Sequence, residues 1–453
     1  MTRPDEGGRG VAVLLAYYAP PAVGIASQRL AELVRYLPDF GWDPVVVAPA
    51  SVHYHRSASL DFPPQVEVVR VPNPEPSRWL RRMGMPGAGG DPRRTGRDGA
   101  GGAPAIEELR AVEPGTVGRW VRWLVHEFLY VPDAQLLWIP AAARAASETL
   151  GRWGDRPTVL FSTSVPFSAH FAARRAAGQR GVPWVAEYRD PWSVAPPQFG
   201  THTWLRTQVD RRLDHEVVSG ADHVVVTSDE TRHLFLGAFP DLRPEGISVV
   251  RNGWGARPAA PLPQPPAPDG PLRLVYTGTL LQAGWGRPLL EALLAWERKA
   301  PGAVTLDIYG PERPWSEIAP PELMGTALRL HGLIPGDDVP GKVAGASAVV
   351  ILQPDAVRYV PGKIYEYIGS RRPILAGVPA GSEVSGLAEA FGDVVVVDPM
   401  TVPAMDQAIA GLVARHRRGD LAVPTVPQER VEPLSRRAQA GLMARVFDQV
   451  GRG

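Results

Sequence analysis

The chain is predicted to be an α/β protein made of two doubly wound parallel sheets. Three observations carry this. Short apolar runs alternate with helical stretches along most of the sequence, as βα units of a parallel sheet require. The alternation occurs twice, on either side of the proline-rich stretch Ala256–Pro271 (ARPAAPLPQPPAPDGP). Such stretches are semi-rigid spacers between domains. The length, 453 residues, suits two or three domains of roughly 100–200 residues each.

The first series opens with GVAVLLAYY, Gly10–Tyr18, read as a buried parallel strand. A loop over Ala19–Ile25 leads to a helix at Ala26–Leu37, with Leu30, Leu33 and Val34 on one face. Further strands are expected at Asp43–Ala50, Val66–Pro72, Thr158–Ser164, Pro183–Tyr188, Asp222–Thr227 and Ile247–Val250. Helices are expected at Ser168–Gly181, Thr203–Ser219 and Glu230–Ala238. Arg81–Pro104 is Gly, Pro and Arg with almost nothing to bury, and reads as a mobile loop. Arg119–Phe128 (RWVRWLVHEF) reads as a helix that either packs on the domain or docks on a membrane interface through Trp120 and Trp123.

In the second series, strands are expected at Leu272–Tyr276, Val304–Tyr309, Leu328–His331, Ala348–Leu352, Pro373–Ala376 and Val394–Val397. The division is therefore 1–255, a linker at 256–271, 272–432 and a closing segment at 433–453. Ligands of doubly wound sheets bind at the carboxyl ends of the strands. The expected site is accordingly a cleft between the two domains.

Composition narrows the function. Hydrophobic residues are 44%, charged residues 21% and the formal net charge is +1, so no global field favours nucleic acid or an anionic surface. There is no cysteine, which removes thiol nucleophiles and thiolate metal sites and fits a reducing compartment. No apolar run approaches a membrane span, and MTRPDEGGRG lacks the layout of a signal peptide. A cytoplasmic protein is expected, with possible attachment to the inner face of the membrane. Gly and Pro are abundant, and Lys299, Lys342 and Lys363 are the only lysines. GC-rich codon usage accounts for both biases. No P-loop, Ser nucleophile elbow or metal-ligating pattern is present, so no metal and no cofactor are expected.

Four places carry polar groups at predicted strand ends. In Tyr276-Thr277-Gly278-Thr279, glycine lets backbone amides approach a phosphate, and the threonines can donate hydrogen bonds; a plain tight turn would look the same. In Arg358–Ser370 (RYVPGKIYEYIGS), a helix should begin near Gly362 or Lys363, presenting free amides and a partial positive charge to a diphosphate. Lys363 adds a full charge, and Glu366, one turn on, could grip the hydroxyls of a ribose; a solvated Lys–Glu pair is the alternative. Glu187-Tyr188-Arg189-Asp190-Pro191-Trp192 follows a strand of the first series, either reaching into the cleft or bracing its own loop. His170 sits at a predicted helix start after Ser162-Thr163-Ser164-Val165-Pro166, in a structural or a functional role.

With these residues in view, the chain resembles retaining glycosyltransferases of the GT-B fold, family four in particular (glycosyl transferases group 1). The likeness covers most of the length apart from Arg81–Pro104. Ala19-Pro20-Pro21 through Gly24 to Gln28-Arg29 is similar to the family's first-strand loop, which faces acceptor and diphosphate; Pro21, Gly24 and Arg29 are its candidates. Pro132-Asp133, Trp138-Ile139-Pro140, Ser168-Ala169-His170 and Arg189-Asp190-Pro191-Trp192 resemble segments of one branch. Pro361-Gly362-Lys363 with Glu366 and Tyr367 resembles the nucleotide-binding helix.

The resemblance implies that Glu366 binds ribose and that the amides near Gly362, with Lys363, bind diphosphate. The backbone of Gly332, Leu333 and Ile334 would lie against the base. Ser435–Val450 would be the C-terminal helix that crosses back to the first domain. Two positions depart from the pattern. Eight residues before Glu366, where the family's motif has a second glutamate, stands Arg358. After the first strand of the second domain only Arg287 is available, with no lysine beside it.

The implied reaction moves a sugar from a nucleotide diphosphate sugar to an acceptor, a secondary metabolite or a cell-surface glycan or lipid, with retention and without a metal. Gly278, Thr279, Arg287 and Lys363 would hold the donor's charge, while Asp190, His170 and Arg189 would orient acceptor or sugar. Two alternatives remain at this stage. A sugar-nucleotide 2-epimerase would need more cleft carboxylates and histidines, and a degenerate partner of another transferase would bind nucleotide without turnover.

Overall fold

The computed structural model describes residues 8–22, 24–50, 60–74, 123, 125–194, 203–255, 263–354 and 360–451. The expectations for Arg81–Pro104, Trp120 and Arg358 lie outside these residues. The described chain divides into two units. The first runs to Arg251 and takes back the chain from Gln439; the second is Asn252–Ala438.

The first unit holds a seven-stranded sheet. Its strands are β1 (Gly10–Leu15), β2 (Trp42–Pro49), β3 (Glu67–Val71), β4 (Thr158–Ser164), β5 (Trp184–Tyr188), β6 (His223–Val226) and β7 (Ile247–Val249). Every pairing is parallel, in the order β3-β2-β1-β4-β5-β6-β7, so the order reverses between β1 and β4. Both faces of β1 are covered, which is why it reads as an unbroken apolar run. Val11, Val13 and Leu15 pack with α2 (Ile139–Leu150) and α3 (Ser168–Arg180), preceded in sequence by α1 (Ile25–Tyr36). Ala12 and Leu14 pack on the opposite face with α1 and the C-terminal helix Arg436–Gly451, where Phe447 meets Trp42 and Phe161.

Local chemistry sets the helix starts. Asp133 accepts hydrogen bonds from the Ser168 amide at 2.9 Å and its hydroxyl at 2.5 Å, capping α3. Thr203 caps α4 (Trp204–Gly220) through the Arg206 amide, and Ser228 caps α5 (Asp229–Ala238) through Thr231. Of the helix expected at Arg119–Phe128, the described part is the π-helical turn Val125–Leu129.

The second unit holds a six-stranded sheet. Its strands are β8 (Leu272–Thr277), β9 (Val304–Tyr309), β10 (Leu328–Leu330), β11 (Ala348–Leu352), β12 (Ile374–Gly377) and β13 (Val394–Val396). All are parallel, in the order β10-β9-β8-β11-β12-β13, with the reversal between β8 and β11. One face buries α6 (Ala283–Lys299), and the other buries α7 (Lys363–Ser370) and α8 (Glu383–Phe391). α9 (Val402–Arg417) shares the face of α6. Among the described residues no helix is long and apolar enough to cross a membrane.

Candidate functional site

In the second unit the strand order reverses beside β8, and the expected donor residues collect there. α7 opens at Gly362 without a side-chain cap, leaving its N-terminus available to an anion. The Lys363 ammonium lies 3.8 Å from the centre of the Tyr276 ring and donates to the Thr277 carbonyl at 3.3 Å. Burial pushes its pKa down to about 7. A cation–π contact and one carbonyl thus hold an ammonium that has lost most of its water. Tyr367, one turn along α7, meets both the Thr277 amide, at 2.9 Å, and the Thr277 hydroxyl, at 3.0 Å. This ties α7 to the end of β8. It also turns the Thr277 hydroxyl inward, so of the two threonines only Thr279 stays exposed.

The strand-end glycines form a ladder. The Gly278 amide donates to the Tyr309 carbonyl at 2.8 Å, and the Gly310 amide to the Gly332 carbonyl at 2.9 Å. Gly278 and Gly332 have φ of 86° and 68°. A Cβ on Gly310 would lie 2.3 Å from the Gly278 carbonyl oxygen, so no side chain fits there. Gly310 escapes a reading by motif, because its need for glycine comes from a strand more than thirty residues away. Leu333, after Gly332, is 37% exposed. Behind them His331 stacks on Tyr309 at 4.4 Å and meets Asp307 at 2.6 Å, and Arg273 binds the other oxygen of Asp307 at 2.7 Å. Burial raises the Asp307 carboxyl, but the hydrogen bonds from His331 and Arg273 together hold it below its ordinary pKa.

Glu366 is not a free surface carboxylate. Its Oε1 accepts from Arg436 Nη2 at 2.7 Å and from the Gly255 amide at 3.3 Å, while Oε2 accepts nothing. Arg287, early in α6, is exposed and takes part in no hydrogen bond or ion pair.

In the first unit, the loop after β1 carries Pro21 and Gly24, and Gly24 has φ 146° with open space where a Cβ would be. Arg29 is fully engaged: it binds Glu187 Oε1 at 2.6 and 3.1 Å and the carbonyls of Arg251 and Val250 at 2.6 and 2.8 Å. Thr163 donates to the other Glu187 oxygen at 2.7 Å. Arg29 is therefore a clamp between α1 and β5, whereas the sequence suggests a ligand contact. Arg189 is likewise spent on the Ser164 and Val165 carbonyls, the latter at 2.9 Å.

His170, expected to orient acceptor or sugar, lies instead in the core with no exposed surface. Its Nδ1 shares a hydrogen bond with the Ser162 hydroxyl at 2.8 Å, and its Nε2 has no partner. Burial, reinforced by Arg189, pushes its pKa down to about 3, so the ring is neutral. Asp190 is the contrast. Its side chain reaches solvent and makes no hydrogen bond or ion pair. Enough protein surrounds it that desolvation raises its carboxyl, against the pull of Arg189. Of the three expected catalytic side chains, only Asp190 is available to a substrate. Among the described residues no group of three or more His, Asp and Glu side chains is gathered as a metal ion would require.

Residues 101–254 match the Glycosyltransferase Family 4 model. No curated protein matches the chain. The glycosyltransferase from Rickettsia africae ESF-5 is similar in structure, with TM-score 0.52 at 9% identity and 98% of each chain covered. HepE of Anabaena, crystallised in complex with UDP-glucose, gives TM-score 0.54 at 12% identity, covering 97% of this chain and 99% of that one. At these identities the likeness is one of fold. Two doubly wound parallel-sheet units give this chain the GT-B glycosyltransferase fold, and its residues 101–254 are similar to Glycosyltransferase Family 4.

Proposed function

We propose that this chain transfers a glycosyl group from a nucleotide diphosphate sugar to an acceptor hydroxyl, with retention at the anomeric carbon and without a metal ion. The observation that carries the reading is the start of α7 at the β8–β11 reversal. There an uncapped helix N-terminus and a desolvated lysine could meet a diphosphate, and a carboxylate one turn on could meet the ribose. The family-four segment and the UDP-glucose bound to Anabaena HepE support it and make UDP-sugars the first donors to test.

Charge gathers on the leaving diphosphate in the transition state, and preorganised donors that meet it lower the barrier. Lys363, Arg287 and the backbone at Gly362 and Gly278 supply that stabilisation. Glu366 binds ribose hydroxyls through its unused Oε2, and the Gly332–Leu333 backbone lies along the base. As the bond from the anomeric carbon to phosphate breaks, the acceptor oxygen bonds the same face. The acceptor's proton passes to the departing phosphate oxygen, and Asp190 orients the acceptor hydroxyl.

A thermal-shift panel of UDP, GDP, ADP, dTDP and their common sugars tests the reading, with Glu366→Ala alongside. A ligand at 100 times its Kd adds about 2.7 kcal/mol. A unit of this size then melts several degrees higher. One responding nucleotide, lost in Glu366→Ala, supports the site. No response from folded protein refutes it.

A further inference from the structure

The first three turns of α4 are amphipathic in the wrong sense for an ordinary surface helix, although Val217 and Val218 near its end are buried. Positions 206, 210 and 214, spaced along one face, are Arg206, Asp210 and Asp214, and all three are buried. Trp204, Leu205 and Val209 point outward at 76%, 54% and 37% exposure. A surface helix normally turns its apolar side to the core.

The inversion is fixed by hydrogen bonds. Arg206 binds Asp210 at 2.8 Å, the Glu127 carbonyl at 3.2 Å and the Pro132 carbonyl at 3.0 Å. Asp214 accepts from Tyr188 at 2.7 Å and from both the amide and the hydroxyl of Ser193. The buried Glu127 carboxylate takes the Thr203 amide at 2.7 Å and its hydroxyl. Rolling α4 to cover Trp204 would strand these buried charges, a far larger loss than the apolar burial gained.

Glu127 also fixes the neighbours of the helix. Since it grips both Thr203 and Arg206, the residues that follow it lie beside the start of α4. They are Phe128 and Leu129, 49% and 65% exposed. The Trp123 ring meets Phe128 edge-on at 6.0 Å, extending the patch. Arg211 and Arg212 are exposed on the next turn of α4, while its acids at 210 and 214 face inward. Glu216, half-exposed, is bound by Arg174 at 2.8 Å and by the more distant Arg212 at 3.8 Å, which leaves Arg211 without an acidic partner.

We propose that this face, Trp204, Leu205 and Val209 with Phe128 and Leu129, docks on a bilayer carrying anionic lipid. The charge pattern chooses the partner. A protruding tryptophan beside aliphatic side chains suits the boundary of headgroups and acyl chains. Exposed arginines behind it, with two of the helix's three carboxylates buried and the third, Glu216, shared between Arg174 and Arg212, suit anionic headgroups.

The test is sedimentation of the full chain with sucrose-loaded vesicles of phosphatidylcholine alone or with about one third phosphatidylglycerol. The expected result is binding to the mixed vesicles that weakens with salt. Trp204→Ala with Leu205→Ala should lower the partition coefficient at least tenfold. Arg211→Gln with Arg212→Gln should lower it by about fivefold per residue on the anionic vesicles only. Both pairs are exposed, so the fold is retained, and circular dichroism checks it. Val423→Ala, at a 63% exposed site in the second unit, should change nothing.

Three results would overturn the proposal. One is no sedimentation of the folded parent with either vesicle. Another is equal binding by the Trp204/Leu205 variant. The third is a dimer on size exclusion that Trp204→Glu dissolves, which would assign the face to a second copy.

Discussion

If Lys363 meets the donor diphosphate as proposed, donor binding must depend on pH in a direction that the burial of Lys363 sets. In the free protein its ammonium lies over Tyr276 with one carbonyl partner, and burial holds its pKa at about 7. A diphosphate beside it favours the charged form, so the bound pKa rises and binding takes up a proton. At pH 7 about half of the free protein carries the charge, and at pH 9 about 1% does. If only the charged form binds, affinity falls roughly 50-fold between these values, or about 2.3 kcal/mol. The loss comes with rising pH, because the group must be protonated to act.

The ligand in this experiment should be the nucleotide sugar, not the free nucleotide, whose terminal phosphate titrates near 6 and would blur the curve. Isothermal calorimetry in two buffers of different ionisation heat reads affinity and proton uptake together. About half a proton should be taken up at pH 7. Lys363→Arg stays charged throughout, so its affinity should be flat from pH 7 to 9. Lys363→Met should bind weakly and flatly. A flat curve for the parent, or the same slope in Lys363→Met, would refute the assignment of Lys363 to the diphosphate.

Other perturbations separate the first unit's groups. Asp190→Asn should lower kcat by about 10²-fold or more while leaving the donor's thermal shift unchanged, since Asp190 makes no hydrogen bond or ion pair that the substitution would break and its proposed partner is the acceptor. Arg29→Ala should cost about 3 kcal/mol in urea unfolding, because Glu187, 2% exposed, loses its charged partner. Arg29→Lys should recover only part of that, since one ammonium cannot span four bonds. His170 binds its proton near pH 6.5 when unfolded and near 3 when folded. Stability should therefore fall as pH drops from 6.5, by about 2 kcal/mol at pH 5. His170→Leu should flatten that slope in thermal melts.

Apolar runs mark the central strands, because strands covered on both faces leave little room for other residue types, whereas the edge strands β3 (EVVRV) and β10 (LRL) carry exposed charges. The Thr158–Ser164, Val304–Tyr309 and Ala348–Leu352 runs coincide with β4, β9 and β11 end to end. α2 is harder to read. Its buried face is Ala142, Ala143, Ala146 and Leu150, and alanine carries little hydropathy signal. At the site, residue types were legible but partners were not. The pairs Arg29–Glu187 and Arg436–Glu366 join positions 158 and 70 residues apart. Nothing local distinguishes a clamping arginine from one that waits for phosphate. His170 illustrates the same limit, since a helix start places a side chain at a strand end without saying which way it turns.

If these turns receive the donor as proposed, the contact between Gly310 and the Gly278 carbonyl has a consequence for changing donor choice. The turns after β8, β9 and β10 are fastened to each other through main-chain atoms, amide to carbonyl, rather than through exchangeable side chains. A turn grafted from another transferase would bring its own backbone path and break this stitching. Specificity here is better altered by side-chain replacement on a fixed frame, at Leu333 or Thr279, or by transplanting all three turns as one block.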